Sequence, residues 1–221
     1  MVWPITEDIK MPVHWPLTGD KIRFAGDAVA VVVAGTRGQA EDAAEAVDVR
    51  ATALPAVTDL EDAASDRVIV HEDLGTNNVV HWSHGGAGDQ EVFTNAPVIV
   101  QERYAQPRLI PNPMEPRGCL AYGSPAAGEF TLVSATQIPH IARVGHSLVT
   151  GIPQNKLRII APDVGGGFGT KVNVYGDEVA IAAISKLIGR PVKYCVDRLE
   201  SFVSDAHSRD HVVRADRKSV V

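Results

Sequence analysis

Residues 163–172 read Asp-Val-Gly-Gly-Gly-Phe-Gly-Thr-Lys-Val, with Gly165, Gly166, Gly167 and Gly169 inside five positions. Such a run lets main chain approach a ligand closely, because no Cβ stands in the way. Two phosphate-binding readings fail on spacing. A P-loop counted from Gly165 needs glycine at 170 and serine or threonine at 172, where the chain has Thr170 and Val172. A dinucleotide fingerprint needs glycine at 170 or at 172, depending on its starting glycine, and fails at the same two residues. Taken alone, the loop reads as a permissive turn ahead of a ligand site.

Other reactive residue types give weaker patterns. Gly145-His-Ser-Leu-Val149 misses the nucleophile elbow at its last position and falls in a segment with helical periodicity, which argues against a serine hydrolase. His207 and His211 have metal-ligand spacing for a helix, but Ser208 stands where a zinc protease needs glutamate, so both read as surface or structural histidines. His140 and His146 fall on different faces of one helix. Glu115 and Arg117 read as a structural ion pair before they read as acid chemistry. Cys119 and Cys195 cannot supply a four-thiolate metal or iron-sulfur site.

The elements that must position these residues fall into two groups. In the first, residues 21–34 form a β-branched run suited to a buried strand, 39–47 an Ala- and Glu-rich helix, 47–50 a return to strand and 60–64 a short helix. That order predicts a small α/β unit ending near Gly75. The polar, glycine-rich stretch 84–89 reads as a connection. In the second group, residues 98–103 alternate as a strand, and 118–122 with 129–135 form a hairpin around Gly123, Pro125 and Gly128. A helix over 139–149 begins with proline and stops at Gly151. A strand over 157–161, the glycine loop, a helix over 177–188 and a strand over 192–196 complete the pattern.

Composition bounds the function. The 221 residues are 45% hydrophobic and 22% charged, which suits a packed globular chain. Lys and Arg number 21 against 27 Asp and Glu, a net charge of −6 that opposes nucleic acid as a partner. The longest apolar stretch, 28–34, falls far short of the roughly 20 residues of a membrane helix, and the N-terminal residues lack a secretory pattern. With two cysteines, a reducing cytoplasm is the expected compartment.

In order, Gln106-Pro-Arg-Leu-Ile-Pro-Asn-Pro-Met-Glu-Pro-Arg117, Ser134-Ala-Thr-Gln137, Gly165-Gly-Gly-Phe-Gly-Thr-Lys171 and Arg190-Pro-Val-Lys193 resemble the molybdenum hydroxylase (xanthine dehydrogenase) family. The likeness is to the molybdopterin-binding large subunits, aerobic carbon monoxide dehydrogenase and its relatives above all. Phe24-Ala-Gly-Asp-Ala-Val-Ala30 through Leu54-Pro-Ala-Val57 is similar to the second part of that family's α/β-hammerhead domain. The resemblance implies an α+β chain: a partial hammerhead-like domain over 1–75, a linker over 76–90, and the first part of a mixed α/β molybdenum-cofactor-binding domain over 91–215. It also implies a piece of a longer subunit, inactive alone, in which Met1 is an internal start. Residues 216–221 break the pattern and are read as a cloning or assembly artefact.

By the same resemblance the cofactor is molybdopterin cytosine dinucleotide with molybdenum, held by the pterin dithiolene and not by protein side chains. Gln137 matches the amide that donates to an apical oxo group. Gly166, Gly167, Phe168 and Gly169 match the loop that packs against the cofactor. The implied reaction inserts oxygen from water and passes two electrons to [2Fe-2S] and FAD centres on partner subunits, in a hetero-oligomer. No catalytic acid, base or nucleophile is assigned, since neither Glu115 nor either cysteine matches one. Val172 stands where purine-oxidising relatives carry glutamate, which favours carbon monoxide or a small or apolar aldehyde or heterocycle over xanthine. The competing readings are a non-catalytic binding or assembly module that keeps the fold, and a nucleotide-binding protein weakened by Thr170 and Val172.

Overall fold

The computed structural model describes residues 8–86, 91, 93–124 and 126–219, with main chain only at 218 and 219. The N-terminal residues before Asp8, residues 87–90 of the expected linker, Pro125 of the expected hairpin turn and residues 220–221 lie outside the described residues. The helices include α1 (Arg37–Glu45), α2 (Leu60–Ala64), α3 (Pro139–Thr150), α4 (Gly176–Ile188) and α5 (Arg198–Ser204). The strands are β1 (Val98–Leu109), β2 (Gly118–Ser124), β3 (Glu129–Ser134), β4 (Leu157–Ile160), β5 (Val192–Cys195) and β6 (Ser208–Ser219). This is a mixed α/β pattern. Among the described residues no helix is long and apolar enough to cross a membrane.

The chain forms two compact units. The first comprises Val13–Thr52 and Ile110–His207. Its sheet runs β4-β3-β2-β5, with β3 parallel to β4 and antiparallel to β2, and β5 antiparallel to β2. Alternation decides which face is covered: Cys119 and Ala121 of β2 and Phe130 and Leu132 of β3 are buried. Helix α4 packs on β2 and β5, and α3 on β4. Ile181 and Ala182 of α4 close the core with Leu157, Val192 and Ile152. Complete burial of a side chain such as Leu132 contributes about 1.5–3 kcal/mol.

Local chemistry sets the helix ends. Thr36 caps α1 by accepting the Gln39 N–H, so the helix starts two residues before the expected position. Asp197 accepts the Glu200 N–H at 2.7 Å and starts α5, which hydrophobic periodicity did not signal. Helices α3 and α4 end at Gly151 and Gly189, as expected. The expected strands over 21–34 and 47–50 are not formed. A β-branched run becomes a strand only beside a ladder partner, and none is present among the described residues; Val29, Val33, Val47 and Val49 remain exposed.

The second unit, over the described residues within 8–12, 53–109 and 208–219, contains α2 and the antiparallel ribbon of β1 and β6. Asp59 caps α2 through the Glu61 and Asp62 N–H groups, both at 2.9 Å. The ribbon extends beyond the expected 98–103 to Leu109, because Pro107 falls between the pairs Gln106 with His211 and Arg108 with Arg209. Asp216 to Ser219 continue the ladder opposite Gln101 to Val98 through main-chain groups.

Candidate functional site

The glycine loop leaves β4 and ends in a single 3₁₀ turn, Thr170–Val172, before α4. Gly166 and Gly169 have φ of 96° and 87°, and Phe168 is left-handed at 51°, a costly conformation for an aromatic residue. Gly167 lies against the side chain of Gln137: a Cβ there would stand 2.3 Å from the Gln137 carboxamide carbon. No other residue type fits that approach with Gln137 in place.

Gln137 follows β3, and its main-chain N–H donates to the Lys171 carbonyl at 2.9 Å. Its Oε1 accepts the Gly169 N–H at 3.2 Å. An N–H can only donate, so this bond fixes which end of the carboxamide is oxygen. The Nε2 group donates to nothing among the described residues. The structure therefore brings Gln137, Gly166, Gly167, Phe168 and Gly169 together, as a glycine wall beside an uncharged donor. Phe168 is 73% exposed and Met114 93%, giving the wall apolar neighbours.

Behind the wall, Lys171 is sealed from solvent, with its Nζ 2.8 Å from Glu115 Oε2. The same oxygen accepts the Gly165 N–H at 2.8 Å, and the Glu115 N–H donates to the Gly165 carbonyl at 3.2 Å. The hydrogen bond from Lys171 holds the Glu115 carboxyl below the usual carboxylate range against the opposing effect of burial, and the Gly165 N–H adds to it. Arg198 fixes the adjoining strand of chain, donating to Asn112 Oδ1 and to the Pro113 and Met114 carbonyls at 2.7 and 3.1 Å.

Arg117 does not pair with Glu115. Its guanidinium makes two parallel bonds to Asp177, at 2.9 and 2.8 Å, a third to Asp205 at 2.5 Å, and stacks 3.6 Å from the Tyr175 ring centroid. Burial opposes its charge, and Asp177 and then Asp205 more than reverse that effect, so its pKa rises. Tyr175 in turn donates its hydroxyl to the Thr170 carbonyl and accepts the Ala206 N–H. Both sealed cations thus back the turn that ends the glycine loop. Sequence reasoning missed Lys171 and Arg198 as supports and gave Glu115 and Arg117 the wrong partners; the only signal for Lys171 was its place beside four glycines.

Deeper in the core, Glu178 accepts from Ser134 Oγ at 2.7 Å and lies 4.0 Å from His146 Nε2. Burial pushes the Glu178 carboxyl up to about 7 and the His146 imidazole down to about 4. His146 is sealed and His140 exposed, on different faces of α3 as expected. Gly145 packs on Val174 inside α3, so the Gly145–Val149 segment is no nucleophile elbow. His207 lies outside any helix and His211 in β6, so their helical spacing is void. Among the described residues no group of three His, Cys, Asp or Glu side chains could hold a metal ion, and both cysteines are free. What the arrangement offers is a contact surface for a preassembled group, with a neutral hydrogen-bond donor at its centre.

Residues 70–216 match the molybdopterin cofactor-binding domain. The chain is similar to the carbon monoxide dehydrogenase large chain of Hydrogenophaga pseudoflava, 39% identical over 93% of this chain and 29% of that one. It is similar to the structure of quinoline 2-oxidoreductase from Pseudomonas putida 86, with a TM-score of 0.91 and 31% identity over 96% of this chain and 27% of that one. Against the Cu,Mo-CO dehydrogenase structure the TM-score is 0.85 and the identity 32%, over 92% of this chain and 27% of that one. The chain spans less than a third of the length of these relatives.

Proposed function

The chain belongs to the molybdopterin cofactor-binding domain family, and from that premise we propose that it supplies the Gln137 and glycine-loop wall of the cofactor site in a molybdenum hydroxylase large subunit. The group it would hold is molybdopterin cytosine dinucleotide carrying molybdenum, through Gln137, Gly166, Gly167, Phe168 and Gly169. When bound, that cofactor supplies oxidation of a substrate with oxygen from water, its electrons leaving through iron-sulfur and FAD-binding partner subunits in a hetero-oligomer.

One observation carries the reading: the Gly169 N–H occupies Oε1 of the exposed Gln137 and leaves its Nε2 donor without an acceptor among the described residues. A terminal oxo group accepts hydrogen bonds only, so it needs a fixed donor, and a carboxamide provides one without adding charge. Glycine at 167 allows Gln137 to lie against the loop, and the exposed ring of Phe168 offers an apolar contact beside it. Glu115 is not the proton acceptor. Its carboxylate is held by Lys171 and Gly165, and a depressed pKa makes it a poor base. The half-exposed Val172 offers an apolar contact and no carboxylate, which favours carbon monoxide or a small or apolar aldehyde or heterocycle as substrate over a purine.

The test is a whole subunit matured with its partners. Plasma mass spectrometry should find molybdenum, and Gln137→Leu should lower turnover by about 10²-fold, the usual effect of removing one preorganised donor. A wild-type complex without molybdenum overturns the reading, and rapid xanthine turnover overturns its substrate preference.

A further inference from the structure

We propose that Lys171 and Glu115 are positioning residues, an ionic clasp with a sealed cation and a partly exposed anion that sets the distance between the glycine loop and Gln137. The importance of that distance rests on the cofactor reading above; the clasp itself is a property of this chain.

Lys171 acts through both its main chain and its side chain. Its carbonyl accepts the Gln137 N–H at 2.9 Å and the Thr136 hydroxyl at 3.4 Å. Its ammonium, with no side-chain exposure, reaches Glu115 Oε2 at 2.8 Å. That oxygen is the acceptor of the Gly165 N–H. One residue thereby ties Gln137 to the loop's first glycine by way of Glu115. A sealed ammonium favours its counter-charge in contact, so the Lys171 pair biases the Glu115 carboxylate toward the position in which it accepts the Gly165 N–H. Sterics close the remaining freedom: a Cβ on Gly165 would stand 2.6 Å from Glu115 Cβ, so the two backbones meet with no slack. Lys171 contacts the Glu115 carboxylate directly, and Arg198 binds the same chain segment through Asn112, Pro113 and Met114.

Amide nuclear magnetic resonance on the 221-residue chain tests the clasp without cofactor. The Gly165 amide proton, bonded to the carboxylate, should titrate with Glu115, with a midpoint below the ordinary glutamate value of about 4.3. The Gln137 Nε2 protons should move with the same midpoint, and Lys171→Met should raise that midpoint for both. In Glu115→Gln both titrations should vanish. There, solvent exchange of the Gly169 amide should quicken by about tenfold while that of Leu132 in the core stays unchanged. The wild-type titration stands even where a variant folds poorly. Gln137 protons that ignore the Gly165 midpoint, or a midpoint indifferent to Lys171→Met, overturn the clasp. Absence of molybdenum from the matured subunit alongside coupled resonances would sink the cofactor reading and leave the clasp standing.

Discussion

Arg117 and Lys171 are both sealed cations behind one turn of chain, yet they are held in opposite ways. Arg117 satisfies its planar fork with two carboxylates, and the side chain of Asp205 is itself only 2% exposed. Lys171 has one carboxylate partner, and the side chain of Glu115 is 39% exposed. The first arrangement is closed: no member can leave without stranding charge in the core. The second is open on one side, so its anion can be rehydrated and its geometry can respond to what happens at the surface. A fold-stabilising ion pair and a site-setting one are told apart here by the exposure of the anion, not by the burial of the cation.

Arg117→Met probes that contrast most severely. It should cost about 3–5 kcal/mol, because Asp205 and Asp177 would be left without their counter-charge. Urea unfolding measures it, and adding Asp177→Asn and Asp205→Asn to the same variant should recover part of the loss. Glu178→Gln sharpens the comparison by asking what an uncompensated buried acid does. A folded pKa raised from about 4.5 to about 7 means that Glu178 favours folding below its unfolded value, and that this stability is lost as pH rises through 7. The variant should therefore gain about 3 kcal/mol over wild type at pH 8 relative to pH 4, as followed by thermal unfolding. His146 acts on the acid side: with its folded pKa near 4 against an ordinary 6.5, stability falls as pH drops below 6.5. Lys171→Met should change stability by less than about 1 kcal/mol, since an apolar replacement relieves ammonium burial and Glu115 can meet water. A loss as large as that of Arg117→Met would erase the distinction. Gly167→Ala should have the smallest effect on stability, under about 1 kcal/mol, because the colliding group is the movable end of Gln137. It should nevertheless displace the carboxamide, seen as loss of protection at the Gly169 amide.

Much of the first unit was legible in the sequence. Pro139 and Gly151 bracket α3, Gly189 stops α4, and alternation marks β2 and β3, because each signal is local and the core agrees with it. The start of α5 at Asp197 is a local cap that hydrophobic periodicity does not reveal, whereas the larger misses depend on partners distant in sequence. Residues 21–34 have strand composition without a ladder, and β6 has polar composition yet pairs along its whole length with β1. Gln137 and the glycine loop stand out in the sequence because both fall in recognisable motifs, and the structure brings them together. Their supports do not stand out, since a lysine beside glycines gives no sign that it will be sealed, or that Glu115 and not Asp163 will meet it.

The β1 and β6 ribbon joins Val98 to Ser219 and Leu109 to Ser208, so everything from Ile110 to His207 is looped out between its strands. Bringing such remote ends together early carries a heavy chain-entropy penalty, which falls once the intervening segment has collapsed into its own compact body. Refolding from denaturant should accordingly run in sequence, with burial of the Leu132 core first and ribbon zipping last. During synthesis, β1 would wait without its partner until the ribosome had released the β6 residues.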